Sequence, residues 1–110
     1  MDERQCVTKT IKIIGSKWTV FILHELCAGK KRFGELQRAL VGVSPKTLSQ
    51  RLKELEKSGI VKKTVYPVVP LRVEYELTPR GQSFREIIDK MVEWGGREEA
   101  RSAQGKADSN

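Results

Sequence analysis

The sequence predicts a mainly α-helical fold with one small β-hairpin, an α+β class, over a single domain. Apolar residues recur three or four positions apart through most of the chain, which is the spacing of one buried helix face. Between residues 61 and 77 the spacing changes to two, which is typical of strands with one buried face. A chain of 110 residues, of which 38% are hydrophobic and 32% charged, is long enough for one core and too short for two.

The N-terminal third predicts three helices. A helical apolar stripe covers residues 7–26, and Gly15-Ser16 interrupts it in the middle. Because serine can cap a new helix at Ser16, we expect two helices here, with the second ending at Gly29. A short helix then covers residues 32–40, and a tight turn follows at residues 41–43.

The sharpest local signal is Ser44-Pro45. Serine accepts a hydrogen bond from a first-turn amide, and proline suits the first helical position because its missing amide would be unpaired there. The predicted helix covers residues 44–58 and stops at Gly59. One face is a leucine stripe, and the opposite face and its flanks are polar: Lys46, Gln50, Lys53 and Lys57, with Thr47 and Ser49 beside them.

A hairpin and a last helix complete the order of elements. Two alternating segments flank the loop at residues 67–70, and Thr78-Pro79 then repeats the capping signal. The last helix places apolar residues at Phe84, Ile87, Ile88, Met91, Val92 and Trp94. Residues 97–110 hold almost no large apolar side chain, so we expect a domain over residues 1–96 and a disordered polar tail over 97–110.

The charge of the chain is concentrated in one segment. Residues 30–63, the basic segment, hold ten basic and three acidic residues, which accounts for the whole net charge of +7. Such a field attracts polyanions such as nucleic acid, although a solvated lysine-rich surface explains the same charge. The sequence has no apolar run near the ~20 residues of a membrane span and no signal-peptide pattern, so a cytoplasmic protein without a membrane partner is expected.

A short helix, a turn, a capped helix and a hairpin, in this order, form a winged helix-turn-helix, in which the second helix enters the major groove of DNA. Gln50 suits adenine, Lys46 suits guanine or a phosphate, and Lys53 and Lys57 suit phosphates. The expected DNA contacts are Ser44, Lys46, Thr47, Ser49, Gln50, Lys53 and Lys57, with Arg72, and Lys63 nearby, at the hairpin tip. Any one exposed lysine of this kind is only solvated as often as it contacts DNA. Arg51 lies beside the leucine stripe, where an ion pair with Glu54 or Glu35 competes with a phosphate contact.

Several segments resemble the HxlR family of bacterial and archaeal regulators, relatives of MarR. They are IGSKW (14–18), KRFGEL (31–36), VSPKTL (43–48) and RLKELE (51–56), followed by Tyr66-Pro67, Pro70, VEY (73–75) and Leu77-Thr78. The resemblance covers roughly residues 6–95. It implies a homodimer built from the N- and C-terminal helices, which makes five residues candidates for the interface: Ile11, Ile14, Met91, Val92 and Trp94. From the residues alone, the same five fit an intramolecular core.

The resemblance also draws attention to Cys6, because many members carry a cysteine just ahead of the first helix and some of them sense oxidants, quinones or aldehydes. A helix N-terminus with Arg4 and Lys9 nearby favours a reactive thiolate, whereas a lone cysteine is more often inert. Cys27 is expected in the core. A metal site combining it with His24 and a partner's Cys6 lacks a fourth ligand, so no metal is predicted.

Three other functions compete with a sequence-specific regulator. A winged helix can bind protein instead of DNA, or coat DNA without sequence preference. Catalysis is the weakest alternative, because the sequence shows no glycine-rich phosphate loop, no nucleophile–base pair and no metal-ligand cluster. We therefore expect a non-enzymatic repressor or activator without a cofactor, which binds double-stranded DNA as a homodimer at a pseudo-palindromic operator. Its half-sites should lie about one turn (~10 bp) apart, and the sequence does not identify its effector.

Overall fold

The structure, a computed structural model, describes residues 2–108. The elements follow one another as α1 (Glu3–Ile14), α2 (Lys17–Cys27), β1 (Lys31–Arg32), α3 (Phe33–Ala39), α4 (Pro45–Lys57), β2 (Val61–Tyr66), β3 (Arg72–Leu77), α5 (Pro79–Gln82) and α6 (Arg85–Asp108). This arrangement confirms the predicted mainly α fold with a hairpin.

The first two helices separate where the sequence predicts. A Cβ atom at Gly15 would lie 2.7 Å from the carbonyl oxygen of Ile11. Ser16 stands at the N-cap of α2, but its hydroxyl makes no capping bond. The start of α1 is earlier than the apolar stripe indicates, because the side chain of Asp2 accepts from the Gln5 amide at 2.8 Å and the Gln5 side chain accepts from the Asp2 amide at 2.9 Å. This reciprocal cap starts the helix at Glu3.

The sheet has three antiparallel strands in the order β1-β3-β2. Strand β1 has only two residues, too few for an alternating pattern to reveal it in the sequence. In the hairpin Val61 pairs with Leu77 and Val65 pairs with Val73. Val61 and Leu77 are buried, whereas Val65 is 51% exposed. The base of the hairpin is therefore buried in the domain, and the end next to its loop is exposed to solvent.

The core lies under α4. Leu48, Leu52 and Leu55, the predicted leucine stripe, are all buried. They belong to one cluster that includes Ile22, Leu23, Leu26, Leu36, Ile60 and Ile88. Because these residues come from α2, α3, α6 and the start of the hairpin, α4 is packed on its inner side and its polar side is left free.

The C-terminal region differs from the prediction in two ways. The single helix expected after Thr78 is two helices, since α5 ends at Gln82 and α6 begins at Arg85. In addition, residues 97–108 continue α6, where we expected a disordered tail; residues 109–110 of that tail lie outside the described part of the chain. The segment is rich in Ala, Arg, Glu, Gln and Lys, which form helices without burial, and Arg97 pairs with Glu93 at 2.8 Å. The boundary at residue 96 stays a prediction.

Candidate nucleic-acid interface

The N-terminal end of α4 is fixed by the predicted cap. The Oγ atom of Ser44 accepts from the Thr47 amide at 3.1 Å and donates to the Thr47 Oγ1 atom at 2.9 Å, and Pro45 occupies the first turn. The capping prediction is confirmed. All of these interactions are local, so the sequence alone could specify where the helix starts.

The C-terminal end of α4 is held by a second, long-range set of bonds. Gly59 takes φ +74°, which a residue with a side chain adopts at a cost. The Oγ1 atom of Thr78 donates to the Gly59 carbonyl at 2.6 Å, and the Thr78 amide donates to the Ile60 carbonyl at 3.0 Å. The Arg80 guanidinium donates to the Ser58 carbonyl. We name Ser58–Ile60 with Thr78–Gly81 the α4 clamp, because it ties the end of α4 to α5.

The outward face of α4 is polar and carries several cations. Lys46, Gln50, Lys53 and Lys57 are exposed, and Thr47 and Ser49 are half-buried at the flanks. The residues Lys46, Ser49, Gln50, Lys53 and Lys57 border an open groove of about 520 Å³, together with Glu54. The structure thus places six of the predicted contact residues on one helix face, and the seventh, Ser44, caps that helix.

Arg51 follows the ion-pair alternative. Its Nη1 atom donates to both carboxylate oxygens of Glu54, at 3.2 and 3.1 Å. Glu35 is engaged elsewhere, because its side chain accepts from the Arg32 amide at 2.9 Å. The acidic residue that borders the α4 groove is therefore paired with Arg51, and the lysines of the groove keep their net positive field.

The hairpin, or wing, is less basic than the sequence suggests. Arg72 begins β3 opposite Tyr66, with its guanidinium 4.3 Å from the centre of the Tyr66 ring and its Nε atom 3.9 Å from Glu74. Lys63 pairs with Tyr75 midway along the hairpin, so our expectation that it lies near the tip is wrong. The loop between Tyr66 and Arg72 exposes apolar side chains instead: Val68, Val69 and Leu71.

Large apolar side chains are exposed on α1 and α6. Four of the five predicted interface residues are at least 45% exposed: Ile11, Met91, Val92 and Trp94. The fifth, Ile14, is half-buried against the core of its own chain. Met91 and Trp94 border a groove of about 630 Å³ on α6. A group of large apolar side chains exposed side by side is typical of an interaction site.

The two cysteines differ in their surroundings. Cys6 is exposed, and it lies within α1 and not ahead of it, since its amide donates to the Asp2 carbonyl at 3.1 Å. The side chain of Asp2 caps this end of the helix. Cys27 is half-buried, and burial raises the pKa of its thiol, with Arg85 opposing the rise.

A metal centre and a membrane-spanning helix are both absent from residues 2–108. No three His, Cys, Asp or Glu side chains converge there as metal ligands, and this includes the surroundings of His24 and Cys27. None of the described helices combines the length and apolarity that crossing a bilayer requires.

A family model described as HxlR-like helix-turn-helix matches residues 13–103. This chain belongs to that family. It is 44% identical over 89 residues to the uncharacterized HTH-type transcriptional regulator YtcD of Bacillus subtilis (strain 168), covering 81% of this chain and 71% of YtcD. As a member of the HxlR-like family, the chain is a helix-turn-helix transcriptional regulator.

Solved structures agree with this assignment. A protein described as a transcriptional regulator of the MarR family from Enterococcus faecalis V583 superposes with a TM-score of 0.81 at 35% identity, over 94% of each chain. The redox regulator HypR in its oxidized form superposes with a TM-score of 0.80 at 40% identity, over 83% of this chain and 94% of HypR. The predicted winged helix-turn-helix fold and the predicted family are both confirmed.

Proposed function

We propose that this regulator binds a pseudo-palindromic operator as a homodimer, and that each copy inserts α4 into the major groove. The observation that carries the proposal is the free polar face of α4, with Lys46, Gln50, Lys53 and Lys57 exposed above a fully buried leucine stripe. An α-helix fills a major groove, and long polar side chains on its outer face reach base edges and phosphates. The protein acts by binding and not by catalysis, in the cytoplasm.

The residues of the α4 face have different proposed roles. Gln50 hydrogen-bonds both edge positions of an adenine, and Lys46 contacts a guanine or a phosphate. Lys53 and Lys57, which lie one and two turns beyond Gln50 on α4, contact phosphates. The hydroxyls that complete the set belong to Ser44, Thr47 and Ser49. Arg72, stacked on Tyr66, reaches the DNA backbone or minor groove beside the wing.

The second part of the proposal is the dimer. A second copy of this chain covers the exposed apolar face of α1 and α6, with Ile11, Met91, Val92 and Trp94 as contacts and Ile14 at the edge of the core. Burial of apolar surface is favourable by about 25 cal/mol per Å², and two-fold symmetry places two α4 helices on successive major grooves.

The third part is a response to oxidants or electrophiles through Cys6. Its exposure to solvent supports this role, and the similar HypR is a redox regulator. Cys27 is set apart from the response because burial raises the pKa of its thiol and lowers its thiolate fraction at neutral pH.

The test selects bound sequences from a random duplex library with the full chain. We expect an enriched motif of two half-sites related by a dyad, about 10 bp apart. The Gln50→Ala variant should change the preferred base at one position of each half-site, by about 1–3 kcal/mol of discrimination. The control variant Gln104→Ala removes the same side chain from the exposed end of α6 and should keep the wild-type motif.

Two results would contradict the proposal in different ways. Tight binding without an enriched motif would indicate a non-specific DNA coater. Failure to bind any duplex at low salt would indicate a winged helix that contacts protein.

A further inference from the structure

A cavity of about 210 Å³ lies between α2 and the turn that connects α3 to α4. It shares no lining residue with the groove on α4 or with the groove on α6. None of its residues belongs to the proposed DNA contacts or to the proposed dimer contact. The lining consists of Trp18, Phe21, His24 and Glu25 on the α2 side and of Ala39, Leu40 and Val41 on the turn side.

Two aromatic rings form one corner of this cavity. The ring centroids of Trp18 and Phe21 lie 5.7 Å apart, and the ring planes meet at 75°. The face of an aromatic ring carries partial negative charge and attracts cations. The Trp18 ring already attracts one cation of this chain, since the Lys17 ammonium lies 4.9 Å from the ring centre. Lys17 does not line the cavity, and Phe21 is 47% exposed, so the aromatic corner is open to a second cation.

Glu25 adds a negative charge about one helical turn beyond Phe21. Glu25 is half-buried, and within residues 2–108 its carboxylate forms no ion pair, whereas Glu54 and Glu76 each pair with a basic side chain. Partial burial removes water from a carboxylate, and a cation beside it offsets that loss. No lysine or arginine lines the cavity to supply this cation. The unpaired carboxylate and the aromatic corner therefore select the same kind of ligand, a positively charged one.

The turn side of the cavity is apolar. Leu40 is buried in the core, and Val41 is 87% exposed. Apart from His24 and Glu25, no polar side chain lines the cavity. A primary ammonium has three N–H donors that require acceptors, whereas a quaternary ammonium has none and presents alkyl groups to its surroundings. The lining therefore favours a quaternary ion.

We propose that this cavity binds a small quaternary ammonium ion. The charged headgroup lies against the rings of Trp18 and Phe21 and beside the Glu25 carboxylate, and its methyl groups contact Leu40 and Val41. A volume of about 210 Å³ is below the range of sites for drug-sized ligands, which restricts the ligand to a headgroup with a short substituent. Aromatic rings are the groups by which proteins usually recognise such ions.

Trp18 also connects the cavity to the turn before α4. A Cβ atom at Gly42 would lie 3.9 Å from the Cη2 atom of Trp18, so the indole ring packs against this turn. A ligand on the indole ring should therefore change the surroundings of residues 41–43 as well as those of α2. The binding site does not rest on the proposed DNA binding by α4.

The site is tested by nuclear magnetic resonance titration of the full ¹⁵N-labelled chain with two probes of the same shape. The first is choline, and the second is dimethylbutanol, in which a carbon atom replaces the charged nitrogen. Choline should give saturable shifts at the amides of residues 18–25 and 39–43. Dimethylbutanol should bind at least about fivefold more weakly, because it lacks the charge that the rings and the carboxylate attract. Equal affinities for the two probes, or no saturable shifts with choline, would overturn the proposal.

Two variants separate the two sources of cation affinity. Glu25→Gln removes the charge but keeps the shape, and it should bind choline about threefold more weakly. Phe21→Leu keeps an apolar side chain but removes the ring face, so it should weaken choline binding several-fold and leave dimethylbutanol binding nearly unchanged.

The matched control is Glu99→Gln, which makes the same change at an exposed carboxylate near the far end of α6. It should bind choline like wild type. Equal choline affinities for Glu25→Gln and Glu99→Gln would remove Glu25 from the site, and a Phe21→Leu variant that keeps wild-type choline affinity would remove the aromatic corner. Either result would refute the site as assigned.

Discussion

The α4 clamp can be tested by one added methyl group, in the substitution Gly81→Ala. A Cβ atom at residue 81 would lie 2.1 Å from the carbonyl oxygen of Ile60 and 3.3 Å from the Cβ atom of Leu77. The oxygen belongs to the backbone, so relief requires α5 to move by about 1 Å, and overpacking of this kind costs about 1–3 kcal/mol. The same movement strains the bond from the Gly81 amide to Thr78 Oγ1 (3.0 Å) and that from Thr78 Oγ1 to the Gly59 carbonyl (2.6 Å), at about 1 kcal/mol each.

The free energy of unfolding should therefore fall by about 3–5 kcal/mol, a large part of the stability of a small domain. Urea unfolding measures it, with all variants at one protomer concentration because dimer formation adds to the apparent stability. Gly34→Ala is the matched control. Its Cβ atom would meet only the flexible end of Arg38, at 3.5 Å, and in helix α3 the substitution should stabilise the protein by about 0.5–1 kcal/mol. An unfolding midpoint for Gly81→Ala at or above that of wild type would refute the reasoning.

Three further predictions address the interface, the cysteines and one buried phenol. Trp94→Asp should weaken dimerisation at least about tenfold in sedimentation equilibrium, because it places a charge in a desolvated apolar contact; Gln104→Asp on the same helix should not, and equal dimer affinities would place the interface elsewhere. Iodoacetamide should alkylate Cys6 before Cys27, and Cys6→Ser should abolish the oxidant effect on operator binding while Cys27→Ser keeps it; a persisting effect in Cys6→Ser would remove Cys6 as the sensor. Burial raises the pKa of Tyr75 above its ordinary value of 10.0. The protonated phenol therefore stabilises the folded state fully below pH 10, and this stabilisation is lost as the pH rises through the folded-state pKa. Tyr75→Phe should accordingly lose less stability than wild type between pH 9 and 12 in urea unfolding, and identical losses would contradict the assigned cause.

The sequence predicts α4 best, because the signals that define it are local. Ser44 caps an amide three residues away, and Gly59 ends the helix through its own backbone angle. The Arg80–Ser58 bond spans 22 positions, and no local pattern indicates it. For the same reason the sequence predicts the cap at Thr78 but not the bond from Thr78 to the Gly59 carbonyl, 19 positions away.

The distribution of charge shows the same limit. Counting residues places the whole positive excess in the basic segment but does not reveal which cations have partners. In the structure Lys62 lies opposite Glu76, and Lys30 pairs with the same carboxylate at 3.6 Å. This acidic residue belongs to β3, outside the basic segment. Among the α4 cations, Lys46, Lys53 and Lys57 form no ion pair within the described residues, whereas Arg51 pairs with Glu54.

The last helix deviates from the prediction for another reason. Apolar spacing predicts one helix after Thr78, yet the chain breaks before Arg85 so that Phe84 and Ile88 reach the core. Burial of these two side chains in the core, where α6 packs against α2, decides the geometry. Such packing depends on the other elements and is not encoded in the segment itself.

In the proposed complex, DNA binds to the outer face of α4. The direct measurement is the salt dependence of operator binding for Lys53→Ala and Lys12→Ala, which remove the same charge from α4 and from α1. If Lys53 contacts one phosphate in each copy of a dimer, the slope of log K against log salt should fall in magnitude by about 1.8 for Lys53→Ala and stay near the wild-type value for Lys12→Ala. Equal slopes for the two variants would contradict DNA binding through this face.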